Sequence, residues 1–188
     1  MKPFGASLPM FIRALEFASR KHSTQRRKDA ESSPYINHPI ALVSILAVEA
    51  GITDPDVLCA ALLHDTIEDT ATTHEELVQH FRSAIADIVG EVTDDKSLEK
   101  QQRKQLQIDH AHGLSRAAGL VKMADKIANL RDVANCPPPD WPLERRQEYF
   151  DWAKAVVDGI AGVPPQLRRL FEEVYSRRPS IADHRPVA

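Results

Sequence analysis

The chain is poor in cysteine: Cys59 and Cys136 are its two thiols in 188 residues. Two thiols so far apart supply neither a disulfide framework nor a thiolate zinc site. Cys59, inside an apolar run, reads as a small core residue. Long apolar runs are also missing; no stretch approaches the roughly 20 residues of a membrane span. The N-terminus, Met-Lys-Pro-Phe-Gly-Ala-Ser, lacks the apolar centre of a signal peptide. Charge of one sign is scarce. The net charge of −3 argues against broad binding to nucleic acid or an anionic membrane. Runs of alternating β-branched residues are absent, which leaves little from which to build a sheet.

What remains is a soluble globular mixture, 43% apolar and 27% charged. It predicts a cytoplasmic all-α protein. A single domain is expected over 1–177, without internal repeat or dividing linker. The segment 178–188 carries breakers and little to bury, and is expected to fray. The spacing predicts a helix over 8–22 with Phe11, Leu15 and Ala18 inward, then a basic loop through Pro34. Asn37-His38-Pro39 opens the next helix, which stops at Gly51. Thr53-Asp54-Pro55 opens a third. Thr72-Thr73 with Glu76 resembles a capping box for a helix over 74–81. Further helices are expected at about 84–92, 99–111, 114–134, 142–160 and 165–177.

The stretch Ala60-Ala-Leu-Leu-His-Asp-Thr-Ile-Glu-Asp-Thr70 carries the chemistry. In a continuous helix, residues four apart share a face. His64 then sits over Glu68 and Asp65 over Asp69, on a stripe that is otherwise core. Three acids beside apolar surface are costly unless something positive neutralises them. A divalent cation does so. His64 and Asp65 give two ligands. Asp125, within an apolar helix, and His38, at a helix mouth, are the best candidates for the rest. Such a nitrogen and oxygen set suits manganese, iron or zinc. A plainer alternative makes His38 a helix-start residue and Asp125 a surface partner of Lys122 or Lys126. Glu68 and Asp69 remain for proton work beside the ion, or form a solvated helix end. Arg20, Lys21, Arg26, Arg27 and Lys28, with Lys100, Arg103 and Lys104, offer phosphate holders, although basic loops are often merely solvated. The other histidines, His22, His74, His80, His110, His112 and His184, lie in polar contexts and read as surface residues.

The order His38, His64-Asp65, Asp125 resembles the HD-domain metal-dependent phosphohydrolases. A fuller series is more specific: Arg-Arg-Lys-Asp (26–29), Pro-Tyr-Ile-Asn-His-Pro (34–39), Ala-Leu-Leu-His-Asp-Thr-Ile-Glu-Asp-Thr (61–70), Val-Thr-Asp-Asp-Lys (92–96), Arg-Lys-Gln-Leu-Gln (103–107) and Val-Lys-Met-Ala-Asp-Lys-Ile-Ala-Asn-Leu-Arg-Asp (121–132). It resembles the hydrolase domain of RelA/SpoT proteins, and most closely the stand-alone small alarmone hydrolases. Trp141, Glu148-Tyr149-Phe150 and Trp152 extend the likeness. The resemblance implies a compact multi-helix HD fold around a central metal site, holding one manganese ion (Mn2+) on His38, His64, Asp65 and Asp125. It implies Glu68 and Asp69 as catalytic acids, and Arg27, Lys28, Lys100, Asn129 and Tyr149 against the substrate. Ala128 departs from a tyrosine common at that position, and local repacking is expected. The implied reaction is hydrolysis of the 3′-pyrophosphate of guanosine tetra- or pentaphosphate (ppGpp, pppGpp). The alternatives are an HD-type nucleotide phosphatase, acting on NADPH or nucleoside monophosphates, and a non-catalytic alarmone sensor.

Overall fold

The computed structural model describes residues 7–180. Among these residues no strand forms; an isolated bridge joins Arg26 to Pro34 across the basic loop. The elements are α1 (Leu8–Lys21), α2 (Asn37–Val43), α3 (Pro55–Leu63), α4 (Thr66–Asp69), α5 (His74–His80), α6 (Ser83–Val92), α7 (Lys100–His110), α8 (Arg116–Asn135), α9 (Leu143–Gly159) and α10 (Pro165–Tyr175). The architecture is all-α, as the missing β pattern implies.

Two helices form the centre. Every residue of α3 from Val57 to Leu63 is buried, and α3 packs against α1, α2, α6 and α8. The long α8 is buried almost all round, from Ala118 through Ala124 and on through Lys126, Ile127 and Ala128. A helix hydrophobic on every side belongs inside a protein. Helices α2, α3, α6, α9 and α10 enclose it. Full burial of a side chain such as Leu62, Leu63 or Ile127 is worth about 1.5–3 kcal/mol each. His64 and Asp65 directly follow α3 and Asp125 lies on α8, so all three are anchored by these buried helices.

Local signals fix several helix starts. The Asp54 carboxylate accepts from the Asp56 N–H at 3.0 Å, and the Thr73 hydroxyl accepts from the Glu76 N–H at 3.1 Å. Ser115 caps α8 in the same way. Other expectations need correction. The inward side of α1 is Ala14, Phe17 and Ala18, while Phe11 and Leu15 are only partly buried. Asn37 is the first residue of α2 rather than its cap, and no side chain caps that end. Beyond Val43 the helix widens to π geometry over Ser44–Glu49, closed by Ala50 N–H to the Ile45 carbonyl at 2.9 Å. Gly51, at φ 69°, makes the left-handed exit. At the far end, Arg178 grips Asp151 at 2.7 Å through two nitrogens, and Gln147 donates to the Pro179 carbonyl. The rest of the segment expected to fray, 181–188, including His184, lies outside the described residues.

Candidate metal centre

The apolar helix α3 ends at Leu63, and the chain breaks before α4 resumes at Thr66. The Thr66 hydroxyl donates to the Leu63 carbonyl at 2.7 Å, closing the break from within. His64 and Asp65 thus project from a junction between two helices. The expected single stripe of one histidine and three carboxylates does not form.

His64 Nδ1–H donates to the Ala61 carbonyl at 3.0 Å. A carbonyl only accepts, so this bond fixes the tautomer and leaves Nε2 with a lone pair. That Nε2 is buried and has no hydrogen-bond partner, yet it lies 2.8 Å from Asp65 Oδ2. Two acceptors so close need a positive charge between them, a proton or a metal ion. Burial opposes protonation of His64, but the carboxylates of Asp65 and Asp125 outweigh it and raise its pKa above the ordinary value. Burial alone would raise the Asp65 pKa as well; His64 instead holds it low. Tyr35 O–H donates to Asp65.

His38 stands in the first turn of α2, its ring 5.2 Å from that of His64. Desolvation lowers its pKa, with Asp125 opposing, and the ring is held toward its neutral form. Its Nδ1 is buried without a hydrogen-bond partner. Its Nε2 lies 3.1 Å from Asp125 Oδ1. Asp125 comes from α8, where Asn129, one turn on, donates to it at 2.6 Å and Lys126 pairs with it at 3.0 Å. Burial would raise its pKa; Lys126 and the two histidines pull it well below the usual carboxylate range. The Lys126 partnership anticipated as a surface alternative is real, but it is buried and belongs to the centre. Lys122 lines the same pocket but donates to the Val92 carbonyl at 2.8 Å.

Ligand atoms of His38, His64 and Asp65 lie within 4.8 Å of one another; Asp125, the fourth expected ligand, is outside that group and meets it at His38, 3.1 Å away. Ion binding needs neutral imidazoles and ionised carboxylates, and the latter are already favoured here. An orphaned His64 Nε2 facing a carboxylate fits a divalent cation, as does the mixed donor set.

Glu68 and Asp69 face different spaces. Glu68 lines the small metal pocket, about 150 Å³, with His38, His64, Asp65 and Asp125. Its Oε2 accepts from the Asp94 N–H at 3.0 Å, and Arg103 stands 4.0 Å from Oε1. Burial pushes its pKa up to about 7, with Asp65, Asp94 and Asp69 adding and the Asp94 N–H opposing. Asp69 instead lines a larger cavity of about 830 Å³. It accepts from Gln25 Nε2 at 2.6 Å and pairs with Lys96.

The larger cavity contains all five expected substrate contacts: Arg27, Lys28, Lys100, Asn129 and Tyr149. Arg27 donates to Asn129 at 3.1 Å and pairs with Asp132. Arg26, Lys96, Lys104 and Arg145 bring the basic groups to seven, against the acids Asp29, Asp69, Asp132, Glu144 and Glu148. Lys104 and Lys126 lie over Trp152, at 4.9 and 4.3 Å from the ring centre. Arg27, Tyr35 and Asn129 line both spaces, so pocket and cavity are adjacent and share these side chains as a common wall. Arg20 and Lys21 do not take part: they pair with Glu16 and Glu76. Arg103 leaves the cavity for Glu68.

Sequence reasoning missed Gln25, Tyr35, Lys96 and His22. Tyr35 lies inside the Pro-Tyr-Ile-Asn-His-Pro block, which was its only signal. His22 is not on the surface; it is 2% exposed. Among the other described histidines, His80, His110 and His112 are exposed, and His74 pairs with Asp87.

Residues 14–151 match the model of the HD domain family. The human protein named guanosine-3′,5′-bis(diphosphate) 3′-pyrophosphohydrolase MESH1 is 51% identical over 174 residues, covering 93% of this chain and 97% of its own. Its Xenopus tropicalis counterpart, of the same name, is 55% identical over 166 residues, covering 88% and 93%. A solved structure described as a metazoan ortholog of SpoT that hydrolyzes ppGpp superposes with a TM-score of 0.86 at 49% identity, covering 89% of this chain and 94% of that one.

Proposed function

The chain belongs to the HD domain family, among the SpoT-related proteins of the MESH1 kind, and on that premise we propose that it is a manganese-dependent hydrolase of the 3′-pyrophosphate of ppGpp and pppGpp. One observation carries the reading: a pocket lined by His38, His64, Asp65 and Asp125 adjoins a cationic cavity, with Arg27, Tyr35 and Asn129 in the walls of both. A guanosine nucleotide held in the cavity can present its 3′-linked phosphorus at the pocket. The names of the relatives agree with this substrate.

The four ligands would hold the ion. When bound, it supplies positive charge beside the phosphate and makes water a stronger acid near neutral pH. The protein groups do the rest. Arg27 lines the cavity and offers a planar face on which a base would stack. Lys28 and Lys100 offer charge for phosphates. Tyr149 lines the cavity, and Asn129 lines both cavity and pocket. Glu68, poised near neutrality, accepts a proton from the attacking water. The new P–O bond forms as the bond from phosphorus to the ribose 3′-oxygen breaks. That oxygen takes up a proton, releasing GDP or GTP and pyrophosphate. Asp69, fixed by Gln25 and Lys96, orients the reacting groups.

The test is product analysis with manganese present. ppGpp, pppGpp, NADPH and nucleoside monophosphates are supplied separately, and phosphate and pyrophosphate are quantified. Pyrophosphate equal to GDP from ppGpp, abolished by chelator, is the expected result. Dominant phosphate release from NADPH would move the assignment to a 2′-phosphatase, and no turnover of any substrate would favour a sensor.

A further inference from the structure

His22 stands at the C-terminal end of α1, buried, and outside both the metal pocket and the cavity. Its Nδ1 lies 2.6 Å from Gln25 Oε1. The amide nitrogen of Gln25 in turn lies 2.6 Å from Asp69 Oδ2. Asp69 already accepts from Lys96, and as a carboxylate it can only accept. Gln25 must therefore present its NH2 to Asp69 and its oxygen to His22. It follows that His22 Nδ1 carries the hydrogen, and that the polar direction runs one way, from imidazole to amide to carboxylate. His22 Nε2 is buried and has no hydrogen-bond partner, so nothing competes for the other tautomer.

The same imidazole also backs a second carboxylate. Its ring lies 4.8 Å from that of Tyr35, tilted by 38°, and the Tyr35 hydroxyl donates to Asp65. Gln25 and Tyr35 are joined through the backbone, Tyr35 N–H to the Gln25 carbonyl at 3.1 Å. Two neighbouring arms of one loop thus reach two acids of the site, and one buried ring supports both arms.

We infer that His22 is a positioning residue for the reaction: its Nδ1–H, through Gln25, fixes the orientation of the Asp69 carboxylate, while its ring sets Tyr35 against Asp65. The inference rests on the assignment of Asp69 to the chemistry. Groups that hold a reacting or ligating side chain in register cost about 10- to 100-fold in activity when removed.

The experiment compares His22→Leu, His22→Asn and Gln25→Leu. The side-chain nitrogen of asparagine occupies nearly the place of histidine Nδ1, so His22→Asn keeps the donor and loses the rest of the ring. His22→Leu and Gln25→Leu should lower kcat for pyrophosphate release from ppGpp about 10- to 100-fold, with KM changed by less than about threefold. His22→Asn should recover the part of kcat that depends on the Nδ1–H, leaving a smaller deficit from the lost ring. Nitrogen-15 NMR of the imidazole, which needs no turnover, should show a slowly exchanging Nδ1–H on His22 that is lost or shifted in Gln25→Leu. His22→Asn as impaired as His22→Leu, or an effect confined to KM, would overturn the inference; so would a His22 protonated only on Nε2. If His22→Leu does not fold, Gln25→Leu carries the kinetic test. A wild-type protein inert toward ppGpp would sink the proposed reaction, while the Nδ1–H signal would still decide whether the relay exists.

Discussion

At Glu68 a carboxyl group is held beside Asp65 and Asp94 in a small pocket, with one backbone N–H to stabilise its charge. Burial dominates and lifts its pKa from the ordinary 4.5 to about 7. The folded state therefore holds this proton more tightly than the unfolded one. Between pH 4.5 and 7 the unfolded chain binds fewer protons at this group, so stability falls as pH rises through that window. A shift of this size corresponds to about 3 kcal/mol once pH exceeds 7. Glu68→Gln keeps the acceptor for Asp94 N–H and removes the charge. In chelator, denaturant melts at pH 5 and pH 8 should show the variant gaining on wild type at the higher pH, by up to that amount. With manganese restored, kcat should drop about 10²–10⁴-fold while KM changes little. A variant equally destabilised at both pH values would mark Glu68 as a structural residue. Neither the pKa nor the Asp94 contact was legible in the sequence, because the first is set mainly by burial and the second comes from 26 positions away. That a carboxylate would stand beside the pocket was legible, since Glu68 follows His64-Asp65 at close spacing.

Elements were legible where their cause is local. Asp54 and Thr73 caps and the proline at the start of α3 depend on neighbours within three residues, and the structure has them where the sequence puts them. The break between α3 and α4 was not legible: Leu63 through Asp69 has no proline or glycine, and the Thr66 side chain closes the gap. The π turn over Ser44–Glu49 was equally silent, and it leaves Val48 79% exposed in an otherwise apolar segment. His22 deceived for the opposite reason. Its sequence neighbours are polar, but its partners Gln25 and Tyr35 come from a loop folded back over it. The join between α9 and the turn after α7 is similarly non-local. A Cβ built on Gly159 would lie 2.8 Å from Ala111 Cβ, and a methyl on alanine has no rotamer through which to retreat. Gly159→Ala gains helix propensity, but the backbones must part. A net destabilisation of about 1–3 kcal/mol is expected, read as a lower denaturant midpoint with an unchanged slope. An unchanged or raised midpoint would show that the two elements can separate freely.

The whole molecule carries a net charge of −3, yet the cavity wall bears seven basic groups to five acids. The local field opposes the global one, and a polyanionic nucleotide is drawn to the mouth by charges that salt can screen. Raising ionic strength from about 0.05 to 0.5 M should therefore lower kcat/KM for ppGpp mainly through KM. Lys100→Ala should mimic part of that loss and blunt the remaining salt dependence. Equal salt sensitivity in kcat would place the charges at the chemical step instead.

The same scale governs the ion. His38 enters from α2, His64 and Asp65 from the α3–α4 junction, and Asp125 from α8. An ion shared by all four would tie α2, the α3–α4 junction and α8 together, an arrangement the unfolded chain does not keep. Binding to the folded state alone adds stability by mass action, about 2.7 kcal/mol at a hundredfold excess over Kd. For a chain of this size that is a rise in Tm of roughly 5–10 °C. Manganese added to chelated protein should produce it, and the rise should depend on concentration. Asp125→Asn leaves a neutral acceptor for Asn129 and Lys126 but removes a ligating charge, so most of the rise should vanish. Lys28→Ala, on the cavity wall, should retain it in full while weakening substrate binding. If Asp125→Asn responds to manganese as wild type does, the four side chains do not form one site, and the hydrolytic reading loses its centre.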